Sequence, residues 1–257
     1  MIKRPHSNAI NSGFTLIELM VVIAIVAGLS AITVIGVDSS MKAARVVEDL
    51  SNIRSLQRAS IQYSLANYGE FIDVGLTHGD LPNSEVAWIN TLSSFYDSPL
   101  VVQSPLDDSS HWPSPFGAGV PIGGTESNFR KTSYGCNNYL TKFSPDAAID
   151  PTKAIDKMSK VKKPANLIHF LTMAYEGDFA GADHVHVETW WVGDFLPDLP
   201  PQRAGAQVQT NSVKGLKSSW DATSNYGFLD GHVETLSFSE IYKNGAKNKF
   251  NPSSFVF

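Results

Sequence analysis

The stretch "GFTLIELMVVIAIVAGLSAITVIGVD", Gly13 to Asp38, holds one interior acid, Glu18, among otherwise uncharged and mostly apolar residues. A helix over 14–37 would rise about 1.5 Å per residue, enough to cross a hydrocarbon core about 30 Å thick. The stretch therefore reads as a membrane span. An ionised acid inside a span costs roughly 2.5–3.5 kcal/mol near the centre and less toward an end, so Glu18 needs a cation. The plainer reading is a signal anchor whose acid only complements the helix macrodipole.

The residues in front narrow the choice. "MIKRPHSNAINSG" carries Lys3 and Arg4 and no acid, which keeps the N-terminus cytoplasmic under the positive-inside rule. A secretory signal peptide would end its apolar run in small residues that mark a cut, whereas this run passes into "VDSSMKAARVVEDLSNIRSLQ" without a clear stop. Polar "NSG" ahead of the run places the expected cut on the cytoplasmic side, after Gly13. Phe14 would then carry a new α-amino group with a pKa of about 7.7–8.0, and Glu18 would gain its cation.

With its leader, Gly-Phe junction, acid spacing and apolar helix, "GFTLIELMVVIAIVAGLSAI" resembles the prepilin signature of type IV pilins and type II secretion pseudopilins. The resemblance implies cleavage after Gly13 by a membrane-embedded prepilin peptidase and methylation of Phe14. It further implies that Glu18 pairs with the N-terminal amine of a neighbouring subunit as a filament grows. Many relatives have a proline near the end of the apolar half of the helix; this chain has none between Phe14 and Ile53, and only Gly28 and Gly36 offer weaker flexible points.

The remainder fits that picture. Of 257 residues, about 190 lie beyond the long helix, enough for one sizeable core. The chain has 20 basic and 25 acidic residues; without the leader the balance is 18 to 25, a formal −7. Such a charge gives no bulk attraction to nucleic acid, so "KMSKVKK" reads as solvated surface. Cys136 is the one cysteine, which excludes an intrachain disulfide and reads as a small buried hydrophobe. Many type IV pilins staple a C-terminal loop with a disulfide, and major pseudopilins commonly lack it.

Four stretches are expected: 1–13 a cleaved leader, 14–37 the membrane-spanning half of a helix, 38–67 its amphipathic half, and 68–257 a globular α+β pilin-like domain. In the second half the apolar stripe runs through Val46, Leu50, Ile53, Ile61, Leu65 and Tyr68, with Lys42, Arg45, Glu48, Asp49, Arg54 and Arg58 between. Gly69 is the expected stop. A short helix is expected over 84–95 and a surface loop over 97–127, rich in Pro, Gly, Ser and Asp. Strand-like runs follow in "SYGCNNYL", "ANLIHFLTMA" and "HVHVETWWV". "NYGFLDGHVETLSF" reads as a hairpin turning at Asp230-Gly231, a pair suited to a type I′ turn. The fold class is α+β, with an antiparallel sheet packed on the long helix.

The later chain also resembles a subgroup of bacterial prepilin-like proteins with a large C-terminal domain, through "NTLSSFYDSPLVVQSPLDD", "SYGCNNYL", the strand before Ala174 and "FLDGHVETL". It departs from them at Ser104, where a Cys often precedes the Pro, and at Trp220, where a His often lies ten residues before the Asp.

No cofactor and no enzymatic activity are expected, since no phosphate loop, nucleophile elbow or other catalytic constellation appears. Two metal sets are candidates. In a strand, His184, His186 and Glu188 would share one face, within reach of a zinc-like ion; the plainer reading is a merely polar sheet face with Val185 and Val187 inward, and His232 is the extra imidazole to watch. Glu176, Asp178 and Asp183 offer hard oxygens for calcium, without an EF-hand spacing. The functional expectation is a filament subunit, a single-pass inner-membrane precursor that ends in a periplasmic or cell-surface filament. Its partners are further copies or other pilin-like subunits, the prepilin peptidase and the assembly machinery, with no nucleic acid. The competing class is a membrane-anchored extracytoplasmic binding or metal-dependent enzymatic domain that never polymerises.

Overall fold

The computed structural model describes residues 13–76, 87–96, 98–124, 128–141, 150, 153–193 and 196–254, without the side chains of 31–36, 100 and 124. The chain divides between Ala44 and Arg45 into two compact units. The expected long helix is present as α1, Leu16–Ala66. It ends where Gly69, at φ +81°, donates its N–H to Ser64 O at 2.7 Å. Tyr68 before it is also left-handed, at φ +55°, so the turn off the helix begins one residue ahead of the expected stop, and only at Gly69 is that conformation free of strain. Among the described residues no helix is long and apolar enough to cross a membrane. The expected span runs through 31–36, whose side chains lie outside those described, as does most of the leader with Lys3 and Arg4.

Beyond Arg45, α1 buries a stripe rotated from the expected one. Asp49, Ile53, Leu56, Gln57, Ser60 and Ser64 are buried, whereas Leu65 and Tyr68 are 79 % and 94 % exposed. Asp49, read from sequence as a solvated charge, is fully buried. Its carboxylate accepts hydrogen bonds from Ser104 Oγ, from Tyr134 Oη at 2.7 Å and from Asn225 Nδ2 at 2.7 Å. Burial pushes the Asp49 carboxyl upward, and these donors oppose it. Three partners from distant segments make a buried acid tolerable, and the helix turns that face inward.

The sheet comprises β1 (Tyr134–Asn137), β2 (Ile168–Thr172), β3 (His184–Val185), β4 (Thr223–Phe228) and β5 (Val233–Ser237), in the order β3-β1-β2-β4-β5. β3 runs parallel to β1 and every other pair is antiparallel. On one face Tyr134, Cys136 and Phe170 pack with Ile53 and Leu56 of α1. On the other, Leu171, Tyr226 and Phe228 join a core centred on Trp190. That core is completed by C-terminal pieces, including α4 (Phe238–Ile241) and one strand of the ribbon β6 (Tyr242–Asn244) and β7 (Lys247–Asn248). Gly227 lets α1 lie directly on β4, since a Cβ there would sit 2.5 Å from Ile53 Cγ2. Cys136 is buried and unpaired, as expected of a small hydrophobe.

Several expectations need correction. The second helix is one turn, α2, Trp88–Thr91, and 84–86 lie outside the described residues. The stretch 98–124 is not a solvated loop: Val101, Ser104, Ser109, Trp112 and Ile122 are buried in it. α3, Leu199–Gln207, has no counterpart in the sequence reading because Pro200, Pro201 and Gly205 disguise it; its prolines fall in the first turn, where a missing N–H costs little. The hairpin forms, but its turn has three residues, 229–231, closed by Gly231 N–H to Phe228 O and Phe228 N–H to His232 O, both 2.9 Å. Only Gly231 has positive φ there, whereas type I′ needs two such residues.

His169 occupies a bulge in β2, between the pairs Ile168–Phe228 and Phe170–Gly227. The bulge aims its ring at α1, where Nδ1 lies 2.9 Å from Gln57 Oε1, between the rings of Phe71 and Phe170. Burial alone pushes its pKa down to about 3. Between the ordinary value of about 6.5 and 3, the unfolded chain binds a proton that the folded chain refuses. Stability from this group is complete above pH 6.5 and falls by about 1.4 kcal/mol per pH unit as the pH drops toward 3. His169→Gln is expected to flatten the stability profile between pH 6.5 and 4.5 by that slope in urea titrations; parallel profiles would refute the assignment.

Candidate functional site

The first turn of α1 carries a local polar cluster. Thr15 precedes the first residue of α1, and Glu18 is the third residue inside it. Thr15 N–H donates to Glu18 Oε2 at 2.8 Å, Thr15 Oγ–H donates to the same oxygen at 2.8 Å, and Glu18 N–H donates back to Thr15 Oγ at 3.3 Å. This is a reciprocal capping box, T-L-I-E, which satisfies amides that the first turn otherwise leaves unpaired. The sequence reading missed Thr15, although Thr-x-x-Glu before an apolar run is the signal that finds it.

Beside the cap the peptide junction is open. Phe14 is 77 % exposed. Among the described residues, which begin at Gly13, a Cβ added there would meet nothing within 4 Å, and Gly13 is not among the glycines at positive φ. Among the described residues nothing therefore demands a glycine at 13. From Phe14 to Leu29 the large apolar side chains are between 47 % and 77 % exposed, with Glu18 the one acid of that turn. A continuous apolar surface of this kind marks a membrane or protein contact.

The histidine candidates are arranged differently from the expectation. β3 ends at Val185, and 187–189 form a 3-10 turn, so His184, His186 and Glu188 do not line one strand face. Val185 and Val187 do point inward. The rings of His184 and His186 meet edge to face at 4.9 Å. Each has its own carboxylate: His184 Nδ1 lies 3.1 Å from Asp183 Oδ1, and His186 Nδ1 lies 3.0 Å from Glu188 Oε1. Asn138 Nδ2 donates to the other Glu188 oxygen at 2.9 Å, and these two bonds hold the Glu188 carboxyl low against the effect of its burial.

The calcium candidates are also separated in role. Glu176 and Asp178 are exposed, whereas Asp183 is fully buried and accepts Gly75 N–H at 3.0 Å. Among the described residues no group of three or more His, Cys, Asp and Glu is placed to hold a metal ion. His232, at the hairpin, lies against Asp230 and stacks on Phe228 at 4.2 Å. In "KMSKVKK", Lys157 pairs with Glu70 at 3.2 Å and Lys160 with Asp156 at 2.7 Å.

Residues 9–36 match the family model described as the prokaryotic N-terminal methylation motif. Comparison with curated proteins and with solved structures gave no match. The matched segment encloses the Gly13-Phe14 junction, the capping box and the apolar start of α1, and it marks this N-terminus as a prepilin-peptidase type of substrate.

Proposed function

We propose that the chain is a pilin-like filament subunit. It is cut after Gly13, methylated on Phe14, held in the inner membrane by 14–37, and assembled through α1 into a type II secretion pseudopilus or a type IV-pilus-like filament. The observation that carries this reading is the methylation motif at 9–36 set on the start of a 51-residue helix. The open junction beside it supports the same reading, because a glycine that nothing among the described residues demands is there for whatever reads the chain. In this role the globular unit is cargo of the helix and supplies the filament's outer surface. Its partners are the prepilin peptidase, the assembly machinery and further pilin-like subunits.

Gly13→Val tests the reading. The side chain has open space, so folding and insertion should be unaffected, while a branched residue at the scissile position blocks the peptidase. In cells with an active prepilin peptidase, mass spectrometry should find methylated Phe14 at the N-terminus of the parent chain and an intact leader on at least nine-tenths of the variant. A parent chain that keeps Met1 in the membrane would sink the proposal.

A further inference from the structure

Two surface clefts of about 400 Å³ each share Tyr96 as a lining residue. The first sets Ser55, Arg58 and Gln62 of α1 beside the rings of Phe95 and Tyr96. The second places Ser93 and Lys131 beside the same tyrosine. Both rings are fixed: Tyr96 Oη donates to Ile89 O at 2.9 Å, and Phe95 meets Tyr63 edge to face at 6.0 Å. Arg58, Gln62 and Lys131 have no hydrogen-bond or ion-pair partner among the described residues. In a chain with 25 acidic residues to 20 basic ones, no described residue lining either cleft is acidic. We infer that the paired clefts bind an anionic polysaccharide, a chain of uronic-acid sugars seated across Tyr96 with one carboxylate at Arg58 and another at Lys131.

The site lies in the unit beyond Ala44 and does not depend on how the chain is anchored or assembled. The chemistry of its walls selects the ligand. A guanidinium and an ammonium pair with carboxylates. Ser55 Oγ donates to Ser51 O at 2.9 Å and Ser93 Oγ to Asn90 O at 2.6 Å, so each meets a ligand hydroxyl as an acceptor, while the Gln62 amide both donates and accepts. A pinned aromatic ring adds a flat apolar surface for the C–H face of a sugar. An acidic peptide fits less well: no lining residue belongs to a strand, so a peptide backbone finds no sheet edge to extend. Because the chain as a whole is acidic, the attraction is local to the two cations, and added salt weakens it.

The test uses the purified full chain in non-ionic detergent, titrated into end-labelled hexagalacturonate and followed by fluorescence polarisation, for the parent, Arg58→Gln, Lys131→Gln and the double variant. Both side chains are exposed, so the thermal midpoint should stay within about 2 °C of the parent. Each single change should weaken binding about ten-fold, the lower end for one hydrogen bond to a charged group, and the double change about a hundred-fold, since the two cations hold separate points of one ligand. Unlabelled maltohexaose, neutral and of equal length, and hexaglutamate should each compete at least about ten-fold less well than unlabelled hexagalacturonate. No binding by the parent at millimolar sugar would overturn the inference, as would a double variant that binds like the parent. A double variant no weaker than one of the singles would confine the ligand to one cleft and overturn the paired site. Equal competition by maltohexaose would remove the role of charge, and equal competition by hexaglutamate would assign the clefts to an acidic peptide instead.

Discussion

Arg130→Met is expected to destabilise the globular unit by about 3–5 kcal/mol, the usual cost of leaving one partner of a buried ion pair alone. Arg130 and Asp107 have fully buried side chains, with Nε 2.7 Å from Oδ2. The guanidinium also donates to Ala174 O at 2.7 Å, to Ala180 O at 2.6 Å and to Met173 O at 3.2 Å, and it lies over the rings of Trp112 and Tyr175. Burial pulls the Arg130 pKa below its ordinary value, and Asp107 opposes that pull. One side chain thus ties the 98–124 segment to the end of β2 and to the turn after it. Methionine fills the space but donates nothing, so a carboxylate and three carbonyls lose a partner together.

In a protein of this size the loss corresponds to a fall of roughly 10 °C in the thermal midpoint. Arg130→Met combined with Asp107→Leu should recover part of it, because the second change removes the orphaned charge. A double variant as unstable as the sum of the singles would show that the separate hydrogen bonds, from Arg130 to the carbonyls and from Ser133 Oγ–H and Ser109 N–H to Asp107, dominate over the ion pair. A single variant within about 1 kcal/mol of the parent would show that water replaces the guanidinium, which the burial argues against.

How much of this is legible in sequence follows from what periodicity can see. The long helix, the strands in "SYGCNNYL" and "ANLIHFLTMA" and the last hairpin are carried by local pattern, and the structure has them. Asp49 and Arg130 are not legible, because a charge reads as solvated unless its partners are known. Those partners lie far along the chain: Tyr134 is 85 residues from Asp49, and Ala174 is 44 residues from Arg130. The same blindness displaced the apolar stripe of α1 toward Leu65 and Tyr68 and turned 98–124 into a surface loop. In "HVHVETWWV" the alternation is genuine for Val185 and Val187, but the chain leaves the sheet after two residues, a tertiary choice that alternation cannot report.

At the N-terminus the case is reversed, since the chemistry there is local. Glu18→Val is expected to leave insertion and cleavage intact and to reduce filament yield to background. The substitution makes the apolar run of α1 continuous, so insertion should if anything improve. The junction at 13 and 14 is untouched, and its surroundings are open. What disappears is the acceptor that Thr15 holds in place. In the filament proposed above, a wrongly staggered subunit would leave a carboxylate and an ammonium unpaired in an apolar core, at a cost of several kcal/mol, so the pair would act as a register check as well as an attraction. Once the carboxylate is gone the ammonium is unpaired in every register, and no stagger is preferred. Glu18→Asp should be intermediate, because its shorter arm cannot reach Thr15 and a neighbour's amine equally well. The measurement is leader cleavage by mass spectrometry beside sheared filament yield, in cells expressing one variant at a time. Normal filaments from Glu18→Val would refute the pairing, and cleavage lost in step with filaments would place the residue at the peptidase instead.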